Sequence, residues 1–131
     1  GIVQIASTCQ DLKFLAAEQP KKIREKLEER ISQWKLGSPV DPQRLEWEIA
    51  LLAERCEITE EIDRIKTHVK EFESVFENKQ AVGRKLDFLS QELNREANTI
   101  GSKASLIDIT KLVVALKTSI EKLREQVQNV E

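Results

Sequence analysis

Apolar residues recur at three- and four-residue steps along almost the whole chain, the spacing that lines one face of a helix. Ile2, Ile5, Cys9, Leu12 and Leu15 follow it and predict a helix over residues 2–17. Pro20 fits the first turn of a second segment, where its missing N–H costs nothing. Ile23, Leu27, Ile31 and Trp34 continue that segment to Gly37, a natural C-terminal stop. Asp41 followed by Pro42 predicts a third start, a capping carboxylate before a proline at the first helical position. Leu45, Ile49, Leu52 and Cys56 line one side of this helix, and Trp47 points the other way, towards a second buried side or a subunit contact.

Thr59 is expected to cap the next helix, with Glu60 and Glu61 placed favourably against its dipole. Its core stripe is Ile58, Ile62, Ile65, Val69, Phe72 and Phe76. A break at Asn78–Gly83 precedes a run through Leu86, Leu89, Leu93, Ala97 and Ile100, which Gly101 and Ser102 are expected to end. Ile109, Val113, Leu116, Ile120, Leu123, Val127 and Val130 alternate steps of four and three, a heptad seam. No segment shows the period-two alternation of a strand. The pattern predicts an all-α bundle of about five mostly antiparallel long helices, the last of them coiled-coil-like.

Composition supports that class. The chain has 131 residues, with 34% charged, 40% hydrophobic and only 5% aromatic residues, which suits long helices and suits a sandwich or barrel badly. Four Gly and three Pro leave little material for turns. Met is absent and the chain opens Gly1-Ile2, so it is expected to be a piece of something longer. The net charge of −2 advertises no strongly basic surface, and any cationic patch has to be local. Two cysteines, Cys9 and Cys56, are too few for a disulfide framework or a zinc site and fit reduced, buried thiols in a cytoplasmic protein. No apolar run approaches the ~20 residues needed to cross a bilayer, so no membrane is expected as a partner.

Phosphate-cradling glycine loops, nucleophile elbows and paired histidines are missing. Two helical faces nevertheless do not read as plain solvated surface. Glu61, Arg64, His68 and Glu71 form one stripe, and His68 is the only histidine. An imidazole beside carboxylates ligates a divalent ion or moves a proton near neutral pH, and an arginine there holds a phosphate. The competing reading is a surface ion-pair ladder with an incidental His.

On the second helix Gln91, Asn94 and Asn98 share one face, and Glu92, Glu96 and Thr99 share the next. Asn and Thr sit roughly 0.6 kcal/mol behind Ala in helix propensity, so two mid-helix asparagines call for a reason. An interhelical hydrogen-bond network that fixes register is one. Recognition of bases, backbone or a partner helix is another, with Glu92 and Glu96 able to hold a hard cation. Near the end, Arg124, Glu125, Gln126, Gln128 and Asn129 again favour amides, as either a solvated helix end or a recognition surface.

The strings DPQRLEWEIALLAERC (41–56), EITEEIDRIKTHVKEF (57–72), VGRKLDFLSQELNREANTIGSK (82–103) and IEKLREQVQNVE (120–131) resemble the C-terminal domain of the YicC-like family of bacterial endoribonucleases. The likeness runs from about Leu12 onward. It implies a longer parent protein with a separate N-terminal α/β domain, hexameric assembly, and cleavage of RNA with the help of a divalent metal (Mn or Mg). Residues 1–37 would then be N-terminal helices leading to that other domain, and residues 41–131 the helical domain proper.

The polar faces coincide with the positions that match the family. From these, His68, Glu61 and Glu96 are expected to be catalytic. Arg64, Gln91, Asn94, Arg95, Asn98 and Lys103 are expected to bind RNA, and Glu92 and Glu96 a metal ion. The parent is then an RNA-cleaving enzyme, a homo-oligomer, with this domain lining its RNA-binding channel and inactive alone. The alternative is an assembly module without chemistry of its own, which the heptad seam and outward Trp47 favour.

Overall fold

The computed structural model describes residues 1–33, 41–77, 83–104 and 106–130, except for the side chains of 77 and 128–130. Five helices follow one another: α1 (Ile2–Gln33), α2 (Pro42–Arg55), α3 (Thr59–Glu77), α4 (Gly83–Lys103) and α5 (Ile107–Val130). Among the described residues there is no strand, and no helix is long and apolar enough to cross a membrane.

Four of these helices close a ring. α1 packs on α3, α3 on α4, α4 on α5, and α5 back on α1. Their apolar stripes meet in one core containing Ile5, Leu12, Ile62, Phe72, Leu93 and Leu116, each at most 1% exposed. The predicted seam of α5 is buried from Ile109 through Val127 at every heptad position; the Val130 side chain lies outside the described residues. α2 sits outside the ring, against α1, over a small second core of Ile23, Ile49 and Cys56.

Cross-helix contacts fix the directions. Gln19 of α1 reaches Cys56 just beyond α2, and Arg24 reaches Glu46. Glu61 meets Lys103 and Arg64 meets Glu96, and Asp87 of α4 meets Arg124 of α5. In each pair of helices, higher numbers on one pair with lower numbers on the other, so all three pairs run antiparallel. This is the expected bundle.

The N-terminal region differs from its predicted division. Residues 2–33 form one helix with Pro20 inside it, not two helices meeting there. An interior proline removes the bond to the carbonyl four residues back and crowds it, at about 3 kcal/mol. Ile5, Cys9, Leu12, Ala16, Gln19 and Ile23 nevertheless keep an unbroken four-three spacing through that point, and all but Ala16 are buried. Packing along the whole stripe outweighs the local penalty. Trp34 and Gly37, the predicted end of the second segment, lie outside the described residues, as does most of the predicted Asn78–Gly83 break.

Helix starts hold one confirmation and one shift. Asp41 caps α2 as expected, its side chain accepting from the Gln43 N–H at 3.0 Å, with Pro42 at the first helical position. At α3 the capping oxygen belongs to Glu57, not Thr59. The Glu57 carboxylate accepts from the Thr59 N–H at 2.7 Å and from the Thr59 hydroxyl, and Thr59 is already the first helical residue. These bonds hold the Glu57 carboxyl below the usual carboxylate range.

Two further expectations give way. Phe76 stacks on buried Phe72 at a centroid distance of 6.4 Å but is 51% exposed, so the core stripe of α3 ends one turn earlier. Gly101 does not stop α4, which continues to Lys103. A Cβ there would lie 3.3 Å from Val113 Cγ1, so the glycine lets α4 and α5 approach closely. Cys9 and Cys56 are both buried free thiols, and burial pushes Cys9 up to about 11.

Candidate functional site

The antiparallel α3–α4 seam brings the two polar faces together within one chain. On α4, Glu92, Glu96 and Lys103 fall between the buried stripe (Leu89, Leu93, Ala97, Ile100) and the exposed amide strip, because 3.6 residues per turn places them at its edge. On α3, Glu61, Arg64 and His68 occupy the matching edge. Lys103 Nζ donates to Glu61 Oε1 at 2.5 Å, and Arg64 Nε donates to Glu96 Oε1 at 2.9 Å. Arg64 also lies 3.6 Å from Glu61 Oε1 and 3.6 Å from Glu60 Oε2. The chain of charges Lys103–Glu61–Arg64–Glu96 therefore alternates in sign across the seam.

Its two carboxylates are far less accessible than an ion-pair ladder on the surface would be. Glu61 is 2% exposed and Glu96 8%. Glu61 Oε2 is buried without a hydrogen-bond partner among the described residues. The cations are the outer members, with side chains 47% exposed for Arg64 and 37% for Lys103. The bond to Glu96 pushes the Arg64 guanidinium further up from its ordinary value, so it stays charged throughout the accessible pH range.

His68 lies one turn beyond Arg64 on α3, half-buried, and its Nδ1 is buried with no partner among the described residues. Glu71, the end of that stripe, is exposed. Glu92, one turn before Glu96, makes a long 3.9 Å approach to Arg95 and no other ion pair or side-chain hydrogen bond among the described residues.

The outer face of α4 is a separate layer. Gln91, Asn94, Arg95, Asn98, Thr99 and Ser102 line a shallow depression of about 470 Å³ with no carboxylate among them. The Thr99 and Ser102 hydroxyls donate to main-chain carbonyls of their own helix, and Gln91 Nε2 donates to Asp87 Oδ2 at 3.2 Å. Asn94 and Asn98 are exposed and make no side-chain hydrogen bond among the described residues. The interhelical amide network that would have explained them is not formed among the described residues. Their propensity cost is therefore not offset by any side-chain hydrogen bond among the described residues. Near the C-terminus Glu125 and Gln126 are exposed, and Gln128 and Asn129 lie outside the described side chains.

A hard divalent cation takes six or more oxygen ligands; Mg²⁺ keeps several of them as water and is bound through one or two carboxylates together with substrate phosphates. Glu96 is engaged by Arg64, and Glu92 lies beside Arg95. Among the described residues no group of three or more His, Cys, Asp or Glu side chains is placed to hold a metal ion. The described residues therefore form no complete protein cage for such an ion; Glu92 and Glu96 would be at most two of its ligands.

Spacing located both faces but not their pairing. The Glu61–Lys103 contact joins residues 42 positions apart, and neither helix alone signals it. The Gln19 amide, buried and donating to the Cys56 carbonyl at 2.7 Å, also went unmarked, although a Gln on an otherwise apolar stripe was a visible signal.

Residues 12–131 match the family described as "Endoribonuclease YicC-like, C-terminal". The chain is 51% identical over 108 residues to a probable endoribonuclease YicC of Haemophilus influenzae, covering 82% of this chain and 37% of that protein. It is 51% identical over 110 residues to a probable endoribonuclease YicC of Clostridioides difficile, with the same 82% and 37% coverage. The chain thus spans little more than a third of the length of these curated relatives. A match over nearly the whole chain, together with half-identical relatives, shows that it belongs to the YicC-like endoribonuclease family, as the C-terminal domain.

Proposed function

We propose that this domain supplies an RNA-contacting face to an endoribonuclease, with the outer strip of α4 against the RNA and His68 beside it. The observation that carries this reading is the pair Asn94 and Asn98, exposed in the interior of a helix and without side-chain hydrogen bonds among the described residues, in a depression lined by Arg95 and no carboxylate; on its α5 side Asn94 also borders a groove holding Lys117, Lys122, Glu121 and Glu125. Side-chain amides hydrogen-bond base edges and 2′-hydroxyls of unpaired RNA. Arg95, 77% exposed, is the cation placed for a backbone phosphate.

Cleavage of a phosphodiester requires a proton taken from the attacking oxygen and a proton given to the departing one. An imidazole does either near neutral pH. His68 is the group for one of these two transfers, and water or a group from elsewhere in the full-length protein makes the other; Glu96 on the neighbouring helix shapes the charge around His68. Glu61 is too buried to touch RNA, and any part it has in catalysis passes through Arg64 and Lys103. Dependence on Mn or Mg, implied by the family resemblance, would need ligands beyond Glu92 and Glu96, such as RNA phosphates, water or a carboxylate outside the described residues.

The test is RNA cleavage by the full-length protein, with and without divalent ion, comparing wild type with His68→Ala and Glu96→Ala, and with this domain alone. Loss of cleavage in folded variants supports the reading; cleavage at the normal rate makes these structural residues. The domain alone is expected to be inactive.

A second reading, an assembly module without chemistry, is favoured by apolar side chains left in solvent. Trp47 is 65% exposed, Phe14 67% and Val3 78%. Solution mass tests the second reading: a homo-oligomer, a hexamer for the full-length protein, is expected if this surface is an interface, a clean monomer counts against it, and RNA cleavage tells whether the assembly also has chemistry.

A further inference from the structure

The two cations Arg64 and Lys103 stand at the inner border of the α4 strip, where a basic side chain is ordinarily read as a phosphate contact. Their geometry gives them another task. Each is already taken: Lys103 by Glu61 at 2.5 Å, Arg64 by Glu96 at 2.9 Å. The carboxylates that hold them are buried, and one oxygen of Glu61 has no hydrogen-bond partner among the described residues. Burying a carboxylate with an oxygen left over is costly, and an apolar pair would hold two helices together at least as well. What ion pairs add is direction, since they join only in one register.

Resting on the reading of the α4 strip as an RNA-contacting face, we infer that Arg64 and Lys103 are positioning residues, which lock α4 against α3 and set the direction in which Asn94 and Asn98 face. The two ties lie two turns apart on α4, about 10 Å along its axis. The buried stripe of Leu89, Leu93, Ala97 and Ile100 already seats α4 in the core; two ties spaced along its edge add resistance to small rotations and to axial slippage that one tie would not. Lys103 adjoins Ser102 and lies one turn from Thr99, and Glu96 adjoins Arg95. Each tie is therefore next to a residue of the strip it orients. Glu61 is the hub, touched by both cations.

Positioning and phosphate contact predict effects of opposite sign. If Arg64 and Lys103 held phosphates, Glu61 would compete with the RNA. Glu61→Gln would then tighten binding, and Lys103→Met would lower the salt dependence of binding by roughly 0.7 in log–log slope, one single-strand phosphate. If they position α4, Glu61→Gln weakens RNA binding fivefold or more and Lys103→Met does the same, both leaving the salt slope unchanged.

The experiment measures affinity of the full-length protein for a single-stranded RNA oligonucleotide across a salt series. It uses wild type, Glu61→Gln, Lys103→Met, Arg64→Met and the conservative Lys103→Arg, well below the unfolding temperature of each. Weakened binding at unchanged slope, restored by Lys103→Arg, is expected. Tighter binding by Glu61→Gln, or a lower slope for Lys103→Met, overturns the positioning role and leaves the functional reading intact. If Asn94→Ala and Asn98→Ala bind like wild type while Glu61→Gln is weak, the strip is not the surface being oriented, and the inference fails. If the wild-type protein binds no RNA, the functional reading falls first, and this role with it.

Discussion

Arg64 Nε donates to Glu96 Oε1 across 2.9 Å and joins α3 to α4, but the two partners are not equally dependent on the bond. Glu96 is buried, whereas the Arg64 side chain is about half exposed and finds water if released. Arg64→Ala leaves a buried carboxylate without its closest cation and is expected to cost about 2 kcal/mol. Glu96→Gln leaves a guanidinium that re-solvates and is expected to cost less than about 1 kcal/mol. Urea unfolding of the two variants checks the asymmetry, and equal losses would mean that Arg64 is more confined than its exposure indicates.

Pro20 interrupts the hydrogen-bond ladder of α1 without ending the helix. Pro20→Ala restores the bond to the Ala16 carbonyl and removes the ring's crowding, against a smaller gain in unfolded-chain entropy. The expected result is stabilisation by roughly 2 kcal/mol, seen as a higher unfolding midpoint. Destabilisation would show that the local distortion is what brings the Gln19 amide to the Cys56 carbonyl.

What the linear pattern revealed and what it hid divide along one physical line. Periodicity reports the side of a helix that faces apolar neighbours, so the α5 seam and the α4 stripe were legible residue by residue. Local breakers were weighed as if acting alone, which misread Pro20 and Gly101, where packing of α1 beside α2 and of α4 on α5 overrules a residue's own preference. The amide strip was visible because Asn94 and Asn98 violate helix propensity. Burial of Glu61 was not, because a glutamate on the edge of a stripe looks the same whether it faces water or a lysine 42 residues away.

Burial raises the Cys9 thiol to about 11, so at pH 8 almost none of it is thiolate, and the folded chain also blocks access. In a Cys56→Ser background, alkylation of Cys9 is expected to proceed only through unfolding, and to accelerate sharply across the urea transition. Rapid labelling in native buffer would mean that the first turns of α1 detach from the bundle.

Gly101 is held by its neighbour across the helix pair rather than by its own backbone. Gly101→Ala gains about 1 kcal/mol of helix propensity but places a methyl 3.3 Å from Val113 Cγ1, which has to give by a few tenths of an ångström. The two effects are expected to leave stability within about 0.5 kcal/mol of wild type. Gly101→Val has no such escape and is expected to cost 1–3 kcal/mol, roughly the penalty for overpacking. In the double variant Gly101→Val with Val113→Ala, much of that loss is expected to return, as thermal unfolding would show.

The start of α3 carries a pH dependence of its own. Glu57 accepts from the N–H and hydroxyl of Thr59, and these bonds hold its carboxyl below the usual range. The folded state thus binds this proton less readily than the unfolded state. The stabilisation is fully present above the unfolded value of about 4.3 and is lost as pH falls through the lower folded value. Glu57→Ala removes the cap and is expected to cost about 1 kcal/mol at pH 6. The difference between wild type and Glu57→Ala, measured by urea unfolding at a series of pH values, should be flat from neutral pH down to about 5 and shrink below about 4. A difference that persisted undiminished at pH 2 would show that the carboxylate's charge is not what caps the helix, and that the Thr59 hydroxyl is satisfied elsewhere.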